Sequence, residues 1–523
     1  MSQTAREENS LEVAIVGCGI VGLITAAGLL RRRIKVKIFE QGQGLRELGT
    51  GIAFNPAAQG CLEMIDPGVT MALQFGGAVG LSAASGEDHH DCLRWIDGYN
   101  QRNENDPYFQ KYYLKTNAGY RGIQGIRRDH LLEELIRILP PDTVVFKKRL
   151  VDIVDRGEGE TLVLKFADHT MAEADAVIGC DGIKSKTRAM IVGPDSTAGN
   201  PTYTHVNSYP TVIPMEKAVL ALGEYKAKTF HNHLGPDANI LHYPVAHGTM
   251  CNVTVFVRND ENWPSDKPTA LIGHRKDIEH RFKNWNPTIK DLIKMLPENL
   301  PTWAIFDLWD YPLPYYNKGR VCVAGDAAHA SSPHHGAGAG MGIEDALCLS
   351  VLMAEALMKL RKTKLTKHQA ISAAFTVYND SRRTRSQWLV NSSRRICDLH
   401  QQREWADPEK CLKAESTLEE IRDRTYKIWD YDGRRMVTKA LEDYDVIVSR
   451  LEKGSVPKVE VTGGERNQHV TASQCHGAEE VAPSDAEQTA STTLSQGASP
   501  TKGAKMLLTT NISVVGTLPT VTG

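Results

Sequence analysis

The chain has 523 residues, 41% of them apolar, and 61 Lys and Arg stand against 63 Asp and Glu for a formal net charge of −2. That length and apolar share call for two or three packed domains with a sizeable core and exclude a wholly disordered chain. Near-neutrality excludes a global field that would recruit nucleic acid or an anionic membrane, so recognition has to be local.

The N-terminal MSQTAREENS is polar, without the apolar centre of a secretory signal. No later run approaches the roughly 18 apolar residues that a membrane span needs, so a soluble, cytoplasmic protein is expected. The segment LEVAIVGCGIVGLITAAGLLRRRIKVKIFEQ reads as strand, tight glycine turn, helix and second strand, a βαβ unit that opens a parallel sheet. Gly17, Gly19 and Gly22 form G-x-G-x-x-G directly after the first strand, and Glu40 ends the second. Two glycines let the backbone turn and approach a pyrophosphate, the third lets helix pack on strand, and the carboxylate accepts hydrogen bonds from a ribose. Glu40 in place of a basic residue argues against a 2′-phosphate, which leaves FAD or NAD. The alternative is a tightly packed βαβ unit with no ligand.

Between Val144 and Ala174 three short alternating runs predict an antiparallel meander, and DAVIGCDG returns to a buried-strand pattern. From about residue 196 to 315, runs such as NILHYPV and CNVTVFVR predict a larger, mostly antiparallel sheet inserted between two halves of the first domain. After residue 343 apolar residues recur at helical spacing. Past about Gly454 the chain turns to Ser, Thr, Gly and Ala, for which disorder is expected. The boundaries read 10–195 and 316–360 for the nucleotide-binding halves, 196–315 for the inserted sheet, 361–453 for helices and 454–523 for the tail. The ten cysteines have no Cys-x-x-Cys pair, so buried thiols are expected rather than disulfides or zinc ligands.

The stretch GDAAHASSPHHGAGAGMGIEDA, 325–346, admits three readings: metal site, linker or backbone cradle. His329, His334 and His335 alternate with small residues instead of converging, so no metal is expected. A linker conflicts with the strand VCVAGDAA leading in and the apolar helix GIEDALCLSVLM leading out. The glycines at 336, 338, 340 and 342 suit a helix N-terminus whose bare N–H groups lie against a ligand.

With the glycine turn, GCDGIKSKTR (179–188) and VCVAGDAAHASSPHHGAGAGMGIEDA in that order, residues 10–400 resemble the single-component FAD-dependent aromatic hydroxylases. That group contains para-hydroxybenzoate hydroxylase and salicylate hydroxylase, and the likeness is strongest to fungal salicylate-hydroxylase-like and polyketide-ring hydroxylases. The resemblance implies an α/β fold: a Rossmann-like FAD-binding domain, an inserted antiparallel substrate sheet and C-terminal helices. It implies resident FAD, NADH or NADPH as a transient co-substrate, and O2. A phenolic or aromatic-acid substrate would be hydroxylated through a flavin C4a-hydroperoxide, in fungal secondary metabolism.

Carried over by position, the resemblance assigns Gly17, Gly19, Gly22 and Glu40 to the ADP moiety, and Arg128 to the neighbourhood of the pyrophosphate. It assigns Asp181 to the FAD and nicotinamide cleft, Asp326 to the ribityl chain, and Gly336, Gly338 and Ala339 to the isoalloxazine. Tyr243 falls where a substrate-facing tyrosine stands, whereas Pro210 occupies the place of a phenolate-gripping arginine. Tyr243, His233, His242 and His205 are the candidates to replace it. Strand alternation sets His242 and Tyr243 on opposite faces, and Tyr243 is favoured. Two rivals stay open: an FAD-dependent epoxidase of an indole or alkene, and a non-catalytic nucleotide-binding scaffold. The basic run 378–395 reads as a solvated or interdomain helix face rather than a nucleic-acid patch.

Overall fold

Strand β1 (Glu12–Val16) enters the glycine turn, helix α1 (Ile20–Arg31) leaves it, and β2 (Lys35–Phe39) returns parallel to β1 with Val13 opposite Val36. The computed structural model describes residues 10–45, 49–81, 90–101, 112–411 and 414–454, and the tail expected from 454 lies outside them but for its first residue. Val13 to Val16 are all buried, as strands covered by helices on both faces must be. The sheet has six strands in the order Asn317–Lys318, Val321–Val323, β3 (Ala176–Gly179), β1, β2, Val144–Val145. All pairs are parallel except the edge pair Asn317–Lys318 with Val321–Val323.

This order places three distant motifs side by side. The glycine turn, Cys180–Asp181 and Gly325–Asp326 emerge from the carboxyl ends of neighbouring strands, tied by Cys180 N–H to the Val16 carbonyl (2.7 Å) and Ala324 N–H to the Gly179 carbonyl (2.9 Å). That edge is where open α/β sheets bind ligands. The meander is present as Leu150–Asp155, Leu162–Phe166 and Met171–Ala174, while Val144–Val145 joins the parallel sheet instead.

The second sheet has eight strands: Ala270–His274, Asn299–Asp307, β4 (Thr202–Pro214), β6 (Met250–Arg258), β5 (Ala238–Val245), Phe230–Gly235, Asp91–Asp97 and Tyr112–Asn117. The last two correct the expected division at 195, because they come from inside the segment assigned to the nucleotide-binding half. Asp91–Asp97 pairs parallel to Phe230–Gly235, with Leu93 opposite Phe230, a long-range pairing that leaves no local turn signal. One face of this sheet buries Ile240, Val253 and Val255 against the helices Met215–Leu222 and Pro287–Met295.

Its other face meets helices α3 (Gly338–Lys362) and α4 (Lys367–His400). The boundary expected at 360/361 does not separate units, since α4 packs along α3 and all described residues belong to one compact unit. Among the described residues nine cysteines are free and eight are buried. No described helix is long and apolar enough to cross a membrane.

Candidate active site

The three glycines of the first turn differ in what surrounds them. Gly17 has φ +103° and a side chain there would strike the Cys180 carbonyl, while one at Gly22 would strike the Gly17 carbonyl. At Gly19, the N-cap of α1, a side chain would meet nothing within 4 Å. The outer two glycines are therefore required by packing, and the middle one opens the turn to a ligand. Helix α1 has no side-chain cap and no acid in its first turn, which leaves its N-terminus suited to an anion. Glu40 stands at the rim, accepting from Cys18 N–H (2.9 Å) and Gly42 N–H (2.6 Å). Burial and the Glu40 charge push the Cys18 thiol up to about 12, so it stays protonated.

Asp181 is engaged within the chain. Its carboxylate accepts from Ser185 Oγ (2.5 Å), Lys186 N–H (2.8 Å), Thr187 N–H (2.9 Å) and Thr187 Oγ1 (3.1 Å). These donors tie Asp181 to the first turn of helix α2 (Lys186–Val192), whose N-cap is Ser185, and fix the segment crossing Gly17. Asp326, by contrast, is exposed. It follows Gly325 (φ 62°, ψ −142°) and opens the helical turn Asp326–His329. Buried Arg188 ties the two turns together by donating to the Ala327 carbonyl (3.1 Å) and the Ile183 carbonyl (2.5 Å). Burial lowers the Arg188 guanidinium against the opposing charges of Asp181 and Asp326.

Of the second glycine stretch, Gly336 is exposed in the left-handed region (φ 60°, ψ 27°), and Gly338 and Ala339 form the half-buried first turn of α3. Gly340 and Gly342 do not line a cradle. Side chains there would press on Ala58 and on Val21, so these two glycines let α3 approach Pro56–Ile65 and α1. The three histidines have separate partners. His329 Nε2 meets Asp345 (2.5 Å), His334 Nδ1 meets Ser332 Oγ (2.5 Å), and His335 Nε2 meets Ser392 Oγ (2.9 Å). No group of three His, Cys, Asp or Glu side chains able to hold a metal occurs among the described residues.

The eight-stranded sheet turns Tyr243 toward this region. Cross-strand register puts Tyr243, Asn252 and Val212 in one row and Leu241, Thr254 and Pro210 in the next, all on the same face. The Tyr243 ring lies 5.0 Å from Phe230, and both belong to a buried cluster with Ala337 and Met341 at the start of α3. Burial pushes the Tyr243 phenol up, only partly offset by the positive charge of Arg128, so it remains a protonated donor at neutral pH. Arg128 begins the helix Arg128–Arg137, and its N–H donates to the Thr50 carbonyl (2.9 Å).

Asn252 Oδ1 accepts from Gly51 N–H (2.8 Å) and its Nδ2 donates to Thr254 Oγ1 (3.3 Å), making a polar edge beside Tyr243. His233 and His242 are bonded to each other (Nε2–Nε2 2.9 Å) on the opposite face, and His205 is exposed with its Nδ1 at the Asn259 carbonyl (3.2 Å). Neither histidine group shares the Tyr243 face.

Sequence reasoning missed four residues. Glu344 and Asp345 are buried on α3 and pair with Arg382 and Arg385 of α4. The signal was available: two adjacent acids inside an apolar helix, with a later helix rich in arginine. Of the two readings of the basic run, the packed one fits better, since Arg383 donates to the Leu313 carbonyl (2.8 Å) and Arg394 pairs with Asp307 (2.6 Å), while Arg395 pairs with Glu420 (2.6 Å) at the surface.

Residues 10–393 match the family profile of the FAD binding domain. The chain is 48% identical over 448 residues to a salicylate hydroxylase of Sarocladium schorii, covering 84% of this chain and 92% of that protein. It is also 48% identical over 429 residues to an FAD-dependent monooxygenase of a Phoma species, covering 80% and 95% of the two chains. Among solved structures, a salicylate hydroxylase in complex with its substrate superposes with a TM-score of 0.69 at 26% identity, covering 83% of this chain and 98% of that one.

Proposed function

The chain belongs to the FAD-dependent monooxygenases of the FAD-binding-domain family, and from that premise we propose that it hydroxylates a phenol or aromatic hydroxy acid on the Tyr243 face of the sheet. NADH or NADPH serves as transient reductant and O2 as oxidant. Bound FAD supplies the redox chemistry, taking reducing equivalents from the nicotinamide and activating O2 for transfer of one oxygen atom. The residues fit such a group: Gly17, Gly19, Gly22 and Glu40 for its ADP part, Arg128 near the pyrophosphate, Asp326 for the ribityl chain, and Gly336, Gly338 and Ala339 for the ring.

One observation carries this reading. The Gly19 opening and exposed Asp326 flank one sheet edge, and the first turn of α3 meets the cluster that contains Tyr243. There the protein's part is to orient an aromatic ring, keep water away and manage one proton. Tyr243, held protonated by burial, can donate a hydrogen bond to a phenolate oxygen and so favour the electron-rich form of the ring. With Pro210 in place of an arginine, the grip falls to neutral donors. The edge formed by Tyr243, Asn252 and Thr254 favours a hydroxylated ring over the indole or alkene of an epoxidase, which would leave those groups unused.

The work is done in the cytoplasm, in keeping with nine free thiols among the described residues, and the partner is a small aromatic substrate. The deciding assay follows NADH and NADPH oxidation by the purified flavoprotein with a series of phenols and aromatic acids. A rise with one of them, and a product that gains one oxygen or carries hydroxyl in place of carboxylate, is the expected result. Stimulation by alkenes or indoles alone would select the epoxidase. Asp326→Ala should give protein largely stripped of FAD, and full occupancy would remove Asp326 from the site.

A further inference from the structure

Glu344 and Asp345 sit at 2% and 0% exposure, and the reaction outlined above assigns neither a role. The Asp345 carboxylate is divided between two tasks. Its Oδ1 accepts from Arg382 Nε (2.9 Å). Its Oδ2 accepts from Gly325 N–H (3.1 Å) and from His329 Nε2 (2.5 Å). Gly325 precedes and His329 closes the turn Asp326–His329, whose one exposed residue is Asp326. A single carboxylate oxygen therefore fastens both ends of the turn that presents Asp326.

Helix α4 also holds the elements on either side of this turn. Tyr378 Oη donates to the Val323 carbonyl (2.9 Å) at the end of the strand leading in, and Arg382, one helical turn later, donates Nη2 to the Met341 carbonyl (3.3 Å). Gly325, at φ 62° and ψ −142°, adopts the mirror image of the extended region, which glycine reaches freely and a residue with a side chain does not. Burial alone would raise the Asp345 carboxyl, but His329 and Arg382 hold it down at about 2, so it is ionised across the physiological range.

We infer that Asp345 is a positioning residue for cofactor binding: it fixes Asp326 in its binding geometry without touching the cofactor itself. This rests on the assignment of Asp326 to FAD. Arg382 keeps the carboxylate aimed, and His329 carries its hold to the far end of the turn. An amide at 345 keeps the size but offers one acceptor oxygen to three buried donors and turns an N–H toward one of them.

The test is the FAD dissociation constant of the full-length chain, read by flavin fluorescence on titrating deflavinated protein, for the parent, Asp345→Asn, Asp326→Ala and the double variant, with a thermal melt of each. Asp345→Asn should weaken FAD binding about ten- to hundredfold. Added to Asp326→Ala, it should weaken binding by no more than about twofold further, because both act through one contact. Parent affinity in Asp345→Asn, or effects that multiply in full, would overturn the inference. Parent affinity in Asp326→Ala would instead remove the assignment beneath it. Should Asp345→Asn not fold, His329→Gln and His329→Leu decide: Gln keeps an N–H for Asp345 and should hold FAD better than Leu by about tenfold, and equal affinities would contradict the role.

Discussion

The two sides of the site bury polar groups in opposite ways. Beneath the Asp326 turn the protein buries full charges, with Asp345, Glu344 and Arg382 interlocked and almost without exposure. Behind Tyr243 it buries neutral imidazoles: His231, His233 and His242 stack on one another, with ring centroids 5.1 to 6.1 Å apart. Burial, then neighbouring positive charge, holds His231 and His233 well below the ordinary histidine range and His242 at about 3. Paired charges in a dry interior are costly to desolvate and directional, so they suit a turn that must keep one conformation. Neutral rings need no counter-ions, and here they lie beside the buried cation Arg94, which stands opposite His231 on the neighbouring strand. One side of the site is held by paired charges and the other by imidazoles kept neutral.

The largest effect should come from breaking the charged side. Arg382→Met leaves Asp345 without its cation and Glu344 with Arg385 alone, and should cost about 3–5 kcal/mol in thermal or urea unfolding. Arg395→Ala, which breaks the half-exposed pair with Glu420, should cost less than about 1 kcal/mol. Similar losses in the two variants would erase the contrast.

Acid should separate the two sides next. Below the ordinary histidine value of 6.5 the unfolded chain binds protons that the buried imidazoles refuse, so stability falls as pH drops from 6.5 toward 3. Asp345 behaves differently. Its folded value is depressed from 3.8 to about 2, so its contribution is intact above 3.8 and is lost only as pH falls from there toward 2. Urea titrations from pH 7 to pH 4 should therefore show a slope that His242→Gln reduces and Asp345→Asn leaves unchanged. Slopes altered by Asp345→Asn in that range would reverse the reading.

The smallest structural effect belongs to Tyr243→Phe. Loss of one hydroxyl in the buried cluster should change stability by about 1 kcal/mol or less and leave the flavin spectrum intact, while turnover, or the share of NAD(P)H oxidation coupled to product, changes. Unchanged kinetics would make Tyr243 a packing residue.

Local spacing made the nucleotide turn legible, because strand, glycines and Glu40 lie within about thirty residues, with Gly17 and Gly22 required by close contacts. The same logic failed at Gly340 and Gly342, since composition does not say whether a glycine faces a ligand or a neighbouring helix; here Val21 and Ala58 decide. The partners of Asp181, Ser185 to Thr187, follow it within six residues, but that they fold back onto its carboxylate shows only in the structure. Alternation set Tyr243 apart from His242, but its companions Asn252 and Thr254 follow from the register of β5 on β6, which no single strand reveals. The Asp345 clamp joins positions 345 and 382 across two helices, and only their packing brings those charges together.

The most direct test is to mix the purified protein anaerobically with NADH or NADPH and follow bleaching of the flavin band with and without hydroxylated aromatic acids. A yellow protein whose bleaching accelerates when one such aromatic binds is the predicted result. A colourless protein that cannot be reconstituted with FAD, or bleaching indifferent to every aromatic tried, would contradict the account.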